Sequence, residues 1–290
     1  MRPARLQTLP TREAEGHKGT FGTLTVVGGC DRDGLVMLGA PLLAGRAALR
    51  SGVGLCRLCV PRSLVHAALT ALPPATGYGF NGPAPASLPS ADATVFGPGL
   101  GPIASNSHNV INLVCDAARP AVIDADGLAA LAVRVQDSND APDLSGCVLT
   151  PHPGEFARVA MACGVGERPT NATSRIAAAH ALAERLNTTV VLKGAGTVVA
   201  DGSDVWVCQR GHPCMATGGT GDVLAGVIGA LLAQNASAGW EMSPFSLACI
   251  GVEAHAIAGE RWARESKAEA GMLAQELADL IAATLWPSGE

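Results

Sequence analysis

Residues 212–232 read HPCMATGGTGDVLAGVIGALL, a glycine-rich loop that runs into an apolar stretch with helical spacing. A helix N-terminus offers unpaired backbone N–H groups and a partial positive charge, and glycines before it let the backbone close around a phosphate. We therefore predict an anion hole at residues 217–221. Asp222 would be held ionised by the helix dipole and could accept a proton from a hydroxyl. Asp is also a common helix N-cap, and spacing alone leaves both roles open.

Outward from this stretch, apolar β-branched runs alternate with helical patterns along the chain. Residues 22–29 (GTLTVVGG) predict a buried strand, and residues 39–52 predict the helix that follows it. Repeated β–α units with short links indicate an α/β fold, a mainly parallel sheet with helices on both faces. A further helix is predicted over residues 105–118, and the Pro/Gly-rich residues 73–89 are predicted to form a surface loop.

Five loops rich in Gly, Asp, Glu, His and Lys follow predicted strands or lead into a helix. In an open parallel sheet, ligands bind beyond the carboxyl ends of the strands. We therefore expect one ligand site built from GPGLG (97–101), DADG (124–127), TPHPGE (150–155), KGAGT (193–197) and GGTGD (218–222).

Composition excludes several classes of function. The net charge of −5 and the aromatic content of 3% argue against nucleic-acid binding, which needs basic surfaces or aromatic stacking platforms. The first residues lack the apolar core of a secretory signal, and no long uncharged apolar run predicts a membrane span. We expect a cytoplasmic protein with no nucleic-acid or membrane partner.

Two patterns that suggest metal binding have simpler interpretations. Cys56 and Cys59 form a lone C-x-x-C on a predicted strand, where residues three apart face opposite sides, so reduced buried thiols are expected. Glu253 and His255 lie on a predicted helix but do not form the H-E-x-x-H pattern, so packing is expected there rather than metal binding.

The motifs together resemble a known family. GGTGDVLAG is similar to the Gly-Thr-Gly-Asp signature of ribokinase-like kinases. FGPGLG, VIDADGL, LTPHPGEFARV, VVLKGAGTVV and MATGGTGDVLAG resemble, in order and spacing, the ADP/ATP-dependent NAD(P)H-hydrate dehydratases. The resemblance covers nearly the whole chain from Leu9 onward. It implies one ribokinase-like domain over residues 1–290, without the epimerase domain that is often fused ahead of it in this family.

The resemblance implies a repair reaction on damaged nicotinamide cofactors. The S-form of NADH or NADPH hydrate would be phosphorylated on its C6 hydroxyl by ADP or ATP. Loss of phosphate would then restore NADH or NADPH, which makes the enzyme a hydro-lyase. The implied cofactor is Mg²⁺. The implied partners are the hydrated dinucleotide, an adenine nucleotide, further copies of the chain in a homotetramer, and a separate epimerase.

The resemblance also implies roles for particular residues. Asp222 would be the general base at the C6 hydroxyl, and Ala40, Gly101 and His152 would contact the hydrated dinucleotide. Nucleotide contacts would come from Lys193, Gly194, Ala195, Gly196, Thr197, Gly219, Thr220 and Gly221.

The roles of three acidic side chains stay open. Glu155 either caps the helix after it or helps to hold Mg²⁺. Asp124 and Asp126 either face the magnesium and phosphate region or shape their turn.

The chain departs from the family pattern ahead of the glycine loop, where His212 and Cys214 stand in place of Asn and Gly. A charged His212 would donate hydrogen bonds toward phosphate, so activity would fall at alkaline pH. Cys214 must avoid positive φ or accept strain. Glu253 and Glu260, where the family commonly has an aromatic residue and Asp, are expected to bear on helix packing or assembly.

Two other functions remain as alternatives. One is a small-molecule kinase of the same fold acting on a thiazole alcohol or a pyridoxal-like substrate, which the TPHPGE loop disfavours. The other is a catalytically silent nucleotide-binding regulator, which the intact Gly-Thr-Gly-Asp disfavours.

Overall fold

The computed structural model describes residues 2–3, 5–102, 109–115, 119–138, 142–166, 169 and 171–287. Its strands are β1 (Arg2–Pro3), β2 (Thr23–Val27), β3 (Cys30–Arg32), β4 (Leu35–Met37), β5 (Leu55–Pro61), β6 (Thr76–Phe80), β7 (Ala93–Phe96), β8 (Ala121–Ile123), β9 (Cys147–Leu149), β10 (Thr189–Leu192), β11 (Val198–Ala200) and β12 (Asp204–Val207). Its helices are α1 (Gly39–Arg50), α2 (Val65–Ala71), α3 (Asn109–Cys115), α4 (Asp126–Ser138), α5 (Pro153–Ala162), α6 (Ala172–Leu186), α7 (Thr220–Ala238), α8 (Pro244–Ser266) and α9 (Ala274–Leu285).

Ten strands form one sheet in the order β1-β12-β11-β10-β9-β8-β7-β2-β5-β6. All neighbouring strands run parallel except β11, which is antiparallel to both β10 and β12. In the middle of the sheet, Val27 lies between Cys59 and Phe96 in register. The predicted α/β fold with a mainly parallel sheet is confirmed.

Each central strand is apolar on both faces, as expected for a sheet covered on both sides. Val26 and Val95 belong to the core on one face, and Val27 and Phe96 belong to the core on the other. The first face is covered mainly by α1, α7, α8 and α9, and the second by α3, α4, α5 and α6. The helices therefore form two layers around the sheet, as predicted.

Helix α7, which follows the glycine-rich loop, is buried from Val223 to Gln234. A Cβ atom on Gly226 would lie 2.1 Å from the carbonyl oxygen of Ala44 in α1, and one on Gly229 would lie 2.4 Å from Val95 in the sheet. The two glycines thus let α7 pack closely between α1 and the sheet, because any side chain there would collide with its neighbours. This packing sets where the N-terminus of α7 lies.

Two local predictions were wrong or incomplete. Residues 73–89 were expected to be a surface loop, but Thr76–Phe80 form the edge strand β6, whose glycines allow the side chains of α2 to lie directly against it. Strands β3 and β4 form an antiparallel hairpin that was not predicted, although its Asp33-Gly34 turn, with φ of 55° and 76°, is a common hairpin signal.

The C-x-x-C cysteines, the helix predicted at 105–118 and the long helices were compared with the structure over the described residues. Cys56 lies in the core on one face of the sheet and Cys59 in the core on the other, and burial raises their thiol pKa values to about 12 and about 11. Of the helix predicted at 105–118, the structure describes Asn109–Cys115, and the rest lies outside the described residues. No helix in the described part of the chain is long and apolar enough to cross a membrane.

Candidate active site

The loops after β7, β8, β9 and β10 meet at the carboxyl ends of these strands, beside the start of α7. Lys193 Nζ lies 2.8 Å from Asp124 Oδ1 and 3.9 Å from Glu155 Oε2. The same nitrogen would lie 3.2 Å from a Cβ atom on Gly221, so the ammonium stands directly beside the glycine loop. Asp126 Oδ2 accepts a hydrogen bond of 2.8 Å from the Gly101 N–H. The predicted convergence of the five loops is therefore observed.

Lys193 and Asp124 form a mostly buried ion pair at the centre of this cluster. Burial alone would lower the pKa of Lys193, but the carboxylates of Asp124 and Glu155 outweigh burial and raise it. The ammonium therefore stays charged at neutral pH. The Asp124 carboxylate binds Lys193 at the centre of the loop cluster, and its role toward magnesium and phosphate stays a prediction.

Asp222 is not the N-cap of α7. That position belongs to Gly219, with a φ of 95°, and Asp222 is the third residue of the helix. Burial and, after it, the nearby Asp124 carboxylate raise its pKa to about 7, against the opposing effect of Lys193. The expectation that the helix dipole keeps Asp222 fully ionised is therefore wrong near neutral pH, because burial and like charge outweigh the dipole. A carboxylate with this pKa is suited to taking up a proton.

Glu155 and His152 cap α5 together. His152 Nδ1 accepts hydrogen bonds from the N–H groups of Gly154 (2.9 Å) and Glu155 (3.4 Å), and Glu155 Oε2 accepts from the His152 N–H at 2.8 Å. The capping role of Glu155 is confirmed, and burial raises the pKa of its carboxyl. His152 keeps 58% of its side chain exposed, which leaves its ring accessible to a ligand.

The Asp126 carboxylate accepts a hydrogen bond from the backbone N–H of Gly101, in the neighbouring loop, and its role toward magnesium and phosphate stays a prediction. This contact fixes the glycine loop after β7. Ala40 lies in the first turn of α1, on the other side of that loop. A Cβ atom added to Gly99 would lie 3.3 Å from the Cβ of Ala40. Ala40 and Gly101 therefore flank the same loop, as expected for two residues that contact one ligand.

The segment ahead of the glycine loop differs from what was expected. His212 Nδ1 accepts a 3.3 Å hydrogen bond from the Cys214 N–H, so this nitrogen caps the short turn that follows and does not donate toward the anion hole. The ring nitrogen takes the place of an Asn side-chain oxygen. Cys214 is buried and has no positive φ, so the position carries no backbone strain.

His255 packs against the start of α7, as expected. Its ring Nε2 lies 2.9 Å from the Thr220 carbonyl oxygen, and burial lowers its pKa to about 4. The ring is therefore neutral and donates from Nε2. Glu253 accepts a hydrogen bond from the Cys208 thiol at 3.4 Å. Among the residues that the structure describes, no three His, Cys, Asp or Glu side chains are grouped to hold a metal ion.

A cavity of about 300 Å³ lies beside the loop that starts at Lys193, and it is lined by Asn171, Ala172, Arg175, Ile176, Ala195, Gly196, Val198, Val207 and Gln209. Arg175 donates to the carbonyl oxygens of Leu192 (3.1 Å) and Lys193 (3.2 Å), so it fixes the beginning of that loop. Sequence reasoning missed Arg175 because it lies on α6, in an ordinary amphipathic pattern with no local motif.

The comparisons with known proteins agree with this geometry. A family model described as NAD(P)H-hydrate dehydratase matches residues 24–283. The ADP-dependent (S)-NAD(P)H-hydrate dehydratase of Bacillus subtilis is 36% identical over 281 residues, which cover 94% of this chain and 92% of that protein.

The bifunctional NAD(P)H-hydrate repair enzyme Nnr of Escherichia coli is 36% identical over 271 residues, which cover 93% of this chain and 48% of that protein. The chain thus spans about half the length of the bifunctional relatives that it matches.

A solved structure shows the same architecture. The ADP/ATP-dependent NAD(P)H-hydrate dehydratase from Bacillus subtilis, co-crystallised with ATP and Mg²⁺, superposes with a TM-score of 0.79 at 34% identity, covering 96% of this chain and 93% of that one. Together with the sheet order, this match confirms the predicted ribokinase-like fold.

Proposed function

The chain belongs to the NAD(P)H-hydrate dehydratase family, and we propose that it uses ADP or ATP to dehydrate the S-form of NADH or NADPH hydrate. The observation that carries the proposal is the placement of Asp222, a carboxyl with a pKa near 7, beside Lys193 at the N-terminus of α7. A base, a cation and free backbone N–H groups at one point are what transfer of a phosphoryl group to a hydroxyl requires.

The reaction follows from this arrangement. The C6 hydroxyl oxygen attacks the terminal phosphorus of the nucleotide, its proton passes to Asp222, and the bond to the leaving AMP or ADP breaks. Phosphate then leaves C6 with the electrons of the C–O bond, and C5 loses a proton, which restores the C5–C6 double bond. Phosphorylation helps because phosphate is a far better leaving group than hydroxide.

The nucleotide would lie between the loop at residues 193–197 and the first turn of α7. We assign its phosphates to Lys193, Gly194, Ala195, Gly196 and Thr197 and to the first turn of α7 at Gly219, Thr220 and Gly221. Supporting this, the charged Lys193 and the N–H groups of that turn are the local donors for an anion. The cavity lined by Ala195 and Gly196 is of a size to take the rest of the nucleotide.

The hydrated dinucleotide would lie on the opposite side of Asp222. Ala40, Gly101 and His152 are proposed as its contacts. The support is that Ala40 and Gly101 flank one loop, and that His152 is exposed and caps the helix that carries Glu155.

The donor set at this site fits a Mg²⁺ ion. Asp124, Asp126, Glu155 and Asp222 interact electrostatically, with Lys193 among them, so the site carries excess negative charge. Mg²⁺ prefers oxygen donors and is usually held by one or two carboxylates together with substrate phosphates. Glu155 would be the protein ligand, and a bound ion would supply positive charge against the nucleotide phosphates.

Residues 1–290 are proposed to form one domain that assembles as a homotetramer. These points follow from the resemblance to the family. Light scattering after size-exclusion chromatography measures the subunit number directly.

The test of the function is a repair assay with purified protein, Mg²⁺ and the hydrate of NADH or NADPH, run with ADP, with ATP and without nucleotide. We expect the absorbance of the reduced nicotinamide to return only with nucleotide, with one phosphate released per molecule repaired. A stable phosphorylated product would instead indicate a small-molecule kinase. Nucleotide binding without turnover would indicate a silent regulator.

A further inference from the structure

Glu260, on α8, binds Arg210 and Gly211, which belong to the segment that leads into the glycine loop. Arg210 Nε lies 3.1 Å and 2.9 Å from the two carboxylate oxygens of Glu260, and the Gly211 N–H donates to Glu260 Oε1 at 2.8 Å. The hydrogen bonds from Arg210 and Gly211 lower the pKa of Glu260, so the carboxylate is ionised at neutral pH. A single carboxylate therefore binds two consecutive residues of the segment.

The same helix touches both ends of this region. The Cys214 thiol donates to the Gly259 carbonyl oxygen at 3.4 Å, and His255 donates to Thr220 at the start of α7. This region is thus held against α8 at two points, at Cys214 before the glycine loop and at Thr220 where α7 begins. Of these contacts, those of Glu260 lie nearest the surface and are the least needed for the core, since 28% of its side chain is exposed.

The segment connects two parts of the site. Gln209 lines the cavity beside the Lys193 loop, while residues 217–221 form the predicted anion hole at the start of α7. Arg210 and Gly211 lie directly between them in the chain. A nucleotide that fills both places would therefore depend on the conformation of these two residues.

We propose that Glu260 is a positioning residue for the adenine nucleotide, because it fixes Arg210 and Gly211 so that the cavity wall and the anion loop face one ligand together. This inference rests on the proposed function. A purely structural role predicts a change in stability alone. The positioning role predicts weaker nucleotide binding with an unchanged chemical step.

The experiment compares Glu260→Gln with wild type by calorimetric titration of ADP in the presence of Mg²⁺, and by repair kinetics. Gln keeps the size of the side chain but loses the charge that binds Arg210. We expect the ADP Kd and the KM for ADP to rise about tenfold, the effect of losing one charge-assisted hydrogen bond. We expect kcat and the KM for the hydrate to stay within about twofold of wild type, because Asp222 and the hydrate contacts are untouched.

Glu265→Gln is the matched control. Glu265 pairs with Arg261 at 2.6 Å on the same helix, and that surface pair does not touch the segment. Its removal is expected to leave ADP binding unchanged. If Glu260→Gln fails to fold, Arg210→Gln carries the same test, because it removes the same ion pair from its exposed partner, and a smaller rise in Kd is expected since Glu260 keeps its bond to Gly211.

An ADP Kd for Glu260→Gln equal to that of wild type, or an equal rise in Glu265→Gln, would overturn the inference. So would a fall in kcat with unchanged ADP binding. Wild-type protein that binds ADP but repairs no hydrate would overturn the proposed function alone. Wild-type protein that binds no adenine nucleotide would overturn both.

Discussion

Replacing Asp222 with Asn is expected to stabilise the protein while it stops catalysis. Asn has nearly the same shape and no charge, and it cannot take up the hydroxyl proton. In the described residues the Asp222 carboxylate makes no side-chain hydrogen bond that Asn would lose. General-base catalysis typically contributes about 10²–10⁴-fold, so we expect a loss of kcat of that order.

The gain in stability follows from the pKa. Burial and the Asp124 carboxylate raise the pKa of Asp222 from 3.8 to about 7. The folded chain therefore binds this proton more tightly than the unfolded chain does, and stability falls as the pH rises between the two values. The difference of about three units, at about 1.4 kcal/mol per unit, makes the ionised carboxylate cost about 4 kcal/mol of unfolding free energy at about pH 8. At about pH 5 the cost is about 1.5 kcal/mol, and below about pH 3 it vanishes.

The measurement is thermal and urea unfolding of wild type and Asp222→Asn across this pH range, together with the repair assay. At about 2 °C per kcal/mol for a chain of this length, the variant should melt about 8 °C higher at about pH 8. The difference should shrink steadily as the solution is made acidic.

Asp279→Asn is the matched control with the opposite sign. Hydrogen bonds from Arg46 (2.5 Å) and Arg50 (2.9 Å) lower the pKa of Asp279, so its ionised form stabilises the fold. Its stabilising contribution is present above the unfolded pKa and is lost as the pH falls through the lower folded value. Asp279→Asn should therefore reduce stability at neutral pH and leave repair activity unchanged. Equal melting temperatures of Asp222→Asn and wild type at about pH 8, or a gain that does not depend on pH, would refute the argument from burial and like charge.

Four further outcomes are expected. The kcat/KM of wild type should rise with pH through about 7, the pKa of Asp222, because the base must be ionised; a profile that is flat from about pH 5 upward would contradict this. Lys193→Met should lower the free energy of unfolding in urea by about 3–5 kcal/mol, because the buried Asp124 carboxylate loses the only cation that contacts it in the described residues. An unchanged free energy of unfolding would show that water reaches that carboxylate. Gly226→Ala should cost about 3 kcal/mol or more, since its Cβ would lie 2.1 Å from a backbone oxygen of α1, while Gly202→Ala, with open space around it, should be nearly neutral. His212→Asn should keep the hydrogen bond to the Cys214 N–H and the pH profile of wild-type activity, and His212→Ala should lower the free energy of unfolding by about 1 kcal/mol. A change in the alkaline limb of the activity profile of His212→Asn would instead support His212 as a hydrogen-bond donor.

The candidate site was predictable to the extent that its residues lie in local motifs. The glycine loop before α7, the acidic turn at residues 124–127 and the loop at residues 193–197 each follow a buried strand or precede a helix, and the rule for parallel sheets brings them together. Arg175 and Glu260 were not predictable in this way. Each acts on a loop far from it in the chain, 17 residues away for Arg175 and 50 for Glu260, and neither lies in a motif.

Histidine capping was also missed, although a signal for it exists. His152 and His212 each precede a proline, and in both cases ring Nδ1 accepts from the backbone two residues on, as an Asn oxygen would. Proline at the first helical position is a known start signal, so a His-Pro pair after a loop could have been interpreted as a cap.

The amino-acid sequence by itself determined the alternation of the central strands and helices, the mainly parallel sheet and the five loops, but not strand β6 or the β3–β4 hairpin. Periodicity, glycine placement and capping are local properties that each segment carries with it. The tertiary structure alone decided that β6 pairs at the sheet edge, that Asp124 faces Lys193 across 69 positions of the chain, and that Asp222 titrates near pH 7. A pKa depends on burial and on the distances to other charges, and both are set by how segments distant in the chain pack together.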